Sequence, residues 1–170
     1  MAKPVKYSIE DYNAYDVLKI SFNLSLVAAY LLKYFYIMIL LPIFSKIPGL
    51  AESVTLAMPF VNNFVEQPAN LIFLISSLPV VLVTLAMFRR VPQTESPWLR
   101  WAWQRGRLLL LSSAFVDIAL MLLYLLLGIR HLNEMYILLL YLDGMCIVYL
   151  WKSTYVIDAF AQFPEYKKGA

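Results

Sequence analysis

The sequence predicts an all-α membrane protein: a four-helix transmembrane bundle with both termini on the cytoplasmic side. Three observations carry that expectation. The chain of 170 residues is 62% hydrophobic and 15% charged, and a soluble domain of this length cannot bury so much apolar surface in one core. Four apolar runs, at about 20–41, 71–88, 108–129 and 135–151, approach the ~20 residues that one bilayer crossing needs. Between the second and third runs lies FRRVPQTESPWLRWAWQRGRLLLL, residues 88–111, with five arginines and three tryptophans. The positive-inside rule places such a loop in the cytoplasm, and every other segment is then oriented by it. The whole chain, 1–170, reads as one transmembrane domain.

The N-terminal arm, KYSIEDYNAYDVLK, is polar and aromatic. Ser8 and Asp11 have capping-box spacing, so a short helix is expected there. Tyr7, Tyr12 and Tyr15 could hold it in the membrane interface, although the simpler expectation is a solvated arm leading into the membrane. The first apolar run begins near residue 18, is too long for a signal-peptide core and has no small-residue cleavage site after it. Pro42 and Pro48-Gly49 end this first span. An outer loop over 42–70 follows, with Lys46 its only base and Glu52 and Glu66 its acids. Its apolar stretch, Val54–Val65, is expected on or dipping into the outer interface, because Pro59, Asn62 and Asn63 argue against a crossing.

Span two contains Pro79, which leaves a backbone carbonyl unpaired; Ser76 and Ser77 are the candidates to satisfy it. The cytoplasmic loop covers 89–107. Ser96-Pro97 has the form of an N-cap and first helical residue. The helix after it is expected to start on the surface at Trp98, amphipathic at first, and to run through Gly106 into span three. Gly128, Arg130 and Asn133 mark a short turn, and span four leaves through Lys152 and Tyr155 into a polar tail ending EYKKGA. Eleven lysines and arginines fall on the predicted inner side and only Lys46 and Arg130 on the outer, a bias that fixes N-in and C-in. Ala28-Ala29 and Gly144 are the expected close-packing points.

Three charges fall inside the spans: Lys33, Asp117 and Asp143. Each costs about 2.5–3.5 kcal/mol at the bilayer centre and therefore needs a partner, water or an escape route. Side chains tilt toward a helix's N-terminus, so Lys33 leans inward and Asp143 outward, whereas Asp117 leans away from Lys33. Lys33–Asp143 is thus the expected pair. The simpler reading is an ion pair that fixes the register of the helices, with Asp117 hydrogen-bonded to a neighbouring helix. The functional reading is a proton or cation site. Asn23, Tyr30, Tyr34, Tyr124, Tyr141 and Tyr149 offer polar partners.

The arginine loop carries two readings as well. As a topology signal it needs no further role. As a headgroup site, Arg89, Arg90, Arg100, Arg105 and Arg107 would engage lipid phosphate, with Trp98 and Trp101 packing the glycerol region; Trp103 is expected in the same interfacial layer. With these bases accounted for at a membrane surface, nucleic acid is not an expected partner.

Catalytic chemistry finds little support. The lone His131 lies in the short outer turn, and His131 with Met135 is weak as a haem or copper pair. Cys146 is a small apolar residue of span four, and one cysteine permits no intramolecular disulfide. No HExxH, CxxC, phosphate loop or Ser-His-Asp set is present, so no enzyme activity, metal or cofactor is expected.

Two stretches, DYNAYDVLKI at 11–20 and RRVP followed by WLRWAWQRGRLLLL from Arg89 onward, resemble the YfeZ-like family, small proteobacterial inner-membrane proteins of unknown function. The resemblance implies topology and a bacterial inner-membrane location, and no activity. The leading functional expectation is a non-enzymatic accessory or assembly subunit that binds anionic phospholipid or another membrane protein, or itself. The alternative is a small proton- or ion-coupled transport protein using Lys33, Asp117 and Asp143.

Overall fold

The computed structural model describes residues 7–44, 46–47, 70–94, 96–129 and 131–164. The Val54–Val65 stretch, Arg130 and the EYKKGA tail lie outside them. Regular structure among the described residues is helical, with a single isolated bridge between Tyr12 and Leu18.

The arm is folded, with residues 8–10 and 14–16 exposed to the surroundings. A 3-10 turn at Ile9–Asp11 starts where Asp11 accepts the Ser8 N–H at 2.9 Å. Asp16 turns the chain with φ 57°, which an aspartate tolerates better than most residues. Val17 and Leu18 are then buried. Helix α1 (Phe22–Leu31) opens on Ser21, whose Oγ accepts the Leu24 N–H at 3.2 Å. It stops at Leu32, and the chain resumes as α2 (Lys33–Phe35), which continues into a π-helical stretch over Tyr36–Leu40 and then α3 (Leu41–Phe44). Lys33–Leu40 is bent by 54° from α1. Pro42 contributes to the irregularity, because it cannot donate the bond that would close an α-helical ladder onto Met38.

Helix α4 (Asn70–Phe88) contains Pro79. The nearby serines serve other carbonyls than the one Pro79 leaves free: Ser76 Oγ donates to Phe73 O at 2.7 Å and Ser77 Oγ to Leu31 O at 3.0 Å. The second bond satisfies α1 at its break. Helix α5 (Pro97–Gln104) is amphipathic, with Leu99, Ala102 and Trp103 buried. It does not run on into the next helix as expected. Arg105 leaves helical geometry at φ −96°, ψ 5°, and α6 (Gly106–Leu126) starts afresh. The break lets Gly106 meet Phe160, whose ring would lie 2.3 Å from an added Cβ.

Helix α6 ends in a Schellman turn: the Ile129 N–H reaches Tyr124 O and the Gly128 N–H reaches Leu125 O, both at 3.1 Å, with Gly128 at φ 67°. Helix α7 (Glu134–Lys152) is capped by Asn133, which accepts the Tyr136 N–H at 2.8 Å. Beyond Ser153 lies α8 (Thr154–Ala161), where a polar tail was expected.

Helices α6 and α7 are each long and apolar enough to cross a membrane, and α1 with Lys33–Leu40 would make a third, broken crossing; Ile72–Phe88 is a shorter apolar helix. Helix α6 is central, packing on α1, α4, α5, α7 and α8. A large apolar cluster around Leu24, Val83, Leu110 and Phe160 fills the end that carries α5 and α8. A smaller one, of Tyr34, Phe73, Met121, Tyr124 and Tyr136, lies further along the bundle. Cys146 packs in the first cluster. Gly144 is no close-packing point, since nothing lies within 4 Å of where its Cβ would be.

Candidate functional site

The two apolar clusters are separated by a polar layer. Along α6, Asp117 falls between Ala114 of the first cluster and Met121 of the second. Along α7, Asp143 precedes Cys146 of the first and follows Leu139 and Leu140, which pack on the second. At the helical rise of 1.5 Å, Asp117 lies about 16 Å from the start of α6 and Asp143 about 13 Å from the end of α7. Both are mid-helix.

Lys33 enters this layer directly after the Leu32 break. Its Nζ donates to Asp117 Oδ2 and, at 3.1 Å, to Asp143 Oδ1. The side chains are 12%, 2% and 0% exposed for Lys33, Asp117 and Asp143. The ammonium also lies 4.2 Å from the Tyr30 ring centroid and 5.0 Å from that of Tyr34, within cation–π range. Tyr34 Oη donates to Asp117 Oδ1 at 3.0 Å, and Tyr30 Oη donates to Leu139 O at 3.2 Å. The expected pair was Lys33 with Asp143, and the lysine in fact bridges both carboxylates. The reason is geometric. The reading of side-chain tilt assumed one straight helix through Lys33, and the 54° bend immediately before it re-aims the side chain.

One ammonium faces two carboxylates. If all three were ionised, the layer would carry a net negative charge in an apolar surround, where unpaired charge is costly. The two acids are unequally served. Both oxygens of Asp117 accept hydrogen bonds, whereas Asp143 Oδ2 is buried and receives none. Nearby hydroxyls serve the backbone, with Ser113 Oγ donating to Ser76 O at 2.5 Å. Among the described residues, no three His, Cys, Asp or Glu side chains are grouped to hold a metal ion. What the layer itself shows is charge pairing, one ammonium held between two carboxylates.

The arginine loop divides into inward and outward groups. Arg90 is buried at 6% exposure. It donates from Nη1 to Leu18 O at 2.6 Å and from Nη2 to Gln162 O at 2.9 Å and Ala159 O at 3.4 Å. Its guanidinium stacks 4.3 Å from the Trp103 ring centroid, and burial pulls its pKa down to about 10. Trp103, expected at the interface, is fully buried, and its Nε1–H reaches Gln162 O at 2.8 Å and Ala159 O at 3.2 Å. Arg107 donates to Leu150 O at 2.9 Å and Trp151 O at 3.0 Å, carbonyls that the end of α7 leaves without helical partners. Arg90 and Arg107 are thus committed to the protein rather than to a headgroup. Arg100 is partly so, through Thr94 O at 3.2 Å and the Phe163 ring. Arg89 and Arg105 are exposed, as are Trp98 and Trp101, with Arg105 lying 5.7 Å from the Trp101 ring centroid.

These contacts join the arm, α5 and α8 into one knot. Gln162 Oε1 accepts the Leu18 N–H at 2.8 Å, and Tyr7 Oη donates to Asp158 at 2.5 Å. The sequence reading missed α8, although its signals are present: Ser153 as N-cap, then Val156, Ala159 and Phe160 on one helical face. His131 is exposed in the turn before α7.

Residues 7–162 match the family described as "Protein of unknown function (DUF2919)". No curated protein and no solved structure shows significant similarity to the chain.

Proposed function

The chain belongs to the DUF2919 family, and from that premise we propose that it is a small proton-coupled transport protein whose proton site is the Lys33–Asp117–Asp143 layer. We place it with the YfeZ-like proteins, in a bacterial inner membrane, with four spans and both termini in the cytoplasm. The carrying observation is that three ionisable groups from three segments of the bundle converge with one base against two acids. Ionisable groups inside a membrane are rare and mark proton or ion pathways, and neutrality of this layer needs one exchangeable proton. Membrane burial is supported by the outward faces of α4, α6 and α7, which present Ile75, Leu82, Phe115, Leu123, Leu138 and Val148. Such extensive exposed apolar surface belongs against lipid or protein.

The reading is tested in proteoliposomes carrying a pH gradient. Wild-type protein should dissipate the gradient faster than empty vesicles, and Asp143→Asn should abolish the difference. Equal flux from the wild type and Asp143→Asn would leave the layer a structural device only.

A second reading, a non-enzymatic accessory subunit bound to anionic phospholipid or another membrane protein, is favoured by the exposed Trp98, Trp101 and Arg105 of the α5 segment. Cationic and aromatic groups together suit the headgroup layer. Here Arg105→Gln with Trp101→Ala should reduce the anionic lipid retained on purification, as read by native mass spectrometry. Unchanged retention would reject it.

A further inference from the structure

Resting on that proton-site reading, we infer that Asp143 takes up and releases the proton, while Asp117 stays ionised as the standing counter-ion of Lys33. The assignment follows from the unequal surroundings of the two acids. Asp117 Oδ2 accepts from the Lys33 ammonium and Oδ1 from Tyr34 Oη at 3.0 Å. Two donors, one of them charged, favour its ionised form. Asp143 has one donor, Lys33 at 3.1 Å on Oδ1, and its Oδ2 is buried without any. An ionised carboxylate is an acceptor only and suffers most when an oxygen is buried unpaired. A proton on Oδ2 removes that charge and turns the orphaned acceptor into a donor.

Tyr30 stands beside this site: its ring centroid lies 4.2 Å from the Lys33 ammonium, and its Oη donates to Leu139 O at 3.2 Å, one turn before Asp143 on α7. The titratable and charged groups around Asp143 are Lys33, Tyr30 and Tyr34 from the bent first segment, Asp117 from α6 and Cys146 from α7 itself. The formal charges of the Lys33 ammonium and the Asp117 carboxylate that it contacts cancel. With Asp143 protonated, the layer is neutral. When Asp143 releases its proton, Lys33 is the only cation it can share, and it must share it with Asp117. The exchange is a bare proton transfer: the O–H bond on Asp143 Oδ2 breaks, the electron pair stays on the oxygen, and a water or a solute base takes the proton.

The test uses the full chain in nanodiscs, labelled with carboxyl-¹³C aspartate. Five aspartates give five resonances, of which Asp117→Asn and Asp143→Asn each remove one. Where a buried variant does not fold, Tyr34→Phe assigns the pair instead, because it perturbs the carboxyl that Tyr34 donates to. As pH rises, the Asp143 signal should pass from the protonated to the ionised position at a pH well above that at which the exposed aspartates do so. The Asp117 signal should stay at the ionised position across that range. An Asp143 that titrates together with the exposed aspartates, or an Asp117 that titrates in its place, would overturn the assignment. Its failure is separable from that of the transport reading. A titrating Asp143 in vesicles without flux supports the assignment and rejects transport; flux with Asp143 ionised rejects the assignment alone.

Discussion

At the scale of single residues, what distinguishes this protein is that its buried charges are shared. Had Lys33 paired with Asp143 alone, replacing both with apolar residues would restore most of the stability lost by either change. Because the ammonium bridges two carboxylates, Lys33→Met with Asp143→Leu still leaves Asp117 without its cation, held only by Tyr34. Lys33→Met alone should cost about 3–5 kcal/mol, the usual penalty for orphaning a buried partner. The double variant should recover part of this, and adding Asp117→Asn should recover most of the rest. Thermal unfolding in detergent across the four proteins reads the series. Full recovery by the double variant would mean that Asp117 does not depend on Lys33. Arg90 makes a parallel case. Its fork serves the carbonyls of Leu18, Ala159 and Gln162 together, and an ammonium cannot reproduce that planar geometry. Arg90→Lys should therefore destabilise the protein by about 1.5–3 kcal/mol for each charged bond lost. Wild-type stability in Arg90→Lys would contradict the structural role given to the knot.

At the scale of elements, the breaks matter more than the helices. Their existence was legible where apolar runs are long and caps are plain, as in α4, α6 and α7 with Pro79, Gly128 and Asn133 marking them. The breaks at Leu32 and Arg105 were not legible, because neither residue is a helix breaker by type and each break is set by a tertiary partner. Ser77 reaches across from α4 to the carbonyl of Leu31, and Phe160 from α8 occupies the space above Gly106. The same blindness hid the split of the arginine loop. Composition groups Arg90 and Trp103 with Arg105 and Trp101, and only the approach of the arm and α8 separates buried from exposed. Gly106 offers the direct check. The Phe160 ring is itself buried and stacked on Trp103 at a centroid distance of 4.7 Å, so it has little room to withdraw from a methyl group. Gly106→Ala should destabilise by about 1–3 kcal/mol, as overpacking does, despite alanine's better helix propensity. Stabilisation by this substitution would mean the ring moves freely.

At the scale of the whole molecule, the charge bias that reads as N-in and C-in meets an architecture with a folded end. The arm, the Arg90 loop, α5 and α8 converge there through Leu18, Trp103 and Gln162. The N-terminal arm, the loop between α4 and α6, and the chain beyond α7 must therefore lie on one side of any membrane that the bundle crosses, whichever way the bundle faces. Only an even number of crossings between the arm and α5 satisfies this. Among the described residues that end carries Lys19, Arg89, Arg90, Arg100, Arg105, Arg107 and Lys152, and the positive-inside rule expects such an end in the cytoplasm. Single cysteines at Ser96 and Ser53, in a chain whose Cys146 has been replaced, test both steps. An impermeant thiol reagent added to intact cells should label Ser53→Cys and spare Ser96→Cys, and permeabilisation should make both reactive. Labelling of Ser96→Cys alone in intact cells would invert the bundle while keeping the folded end together. Labelling of both before permeabilisation would put residues 53 and 96 on one face and overturn the expected topology.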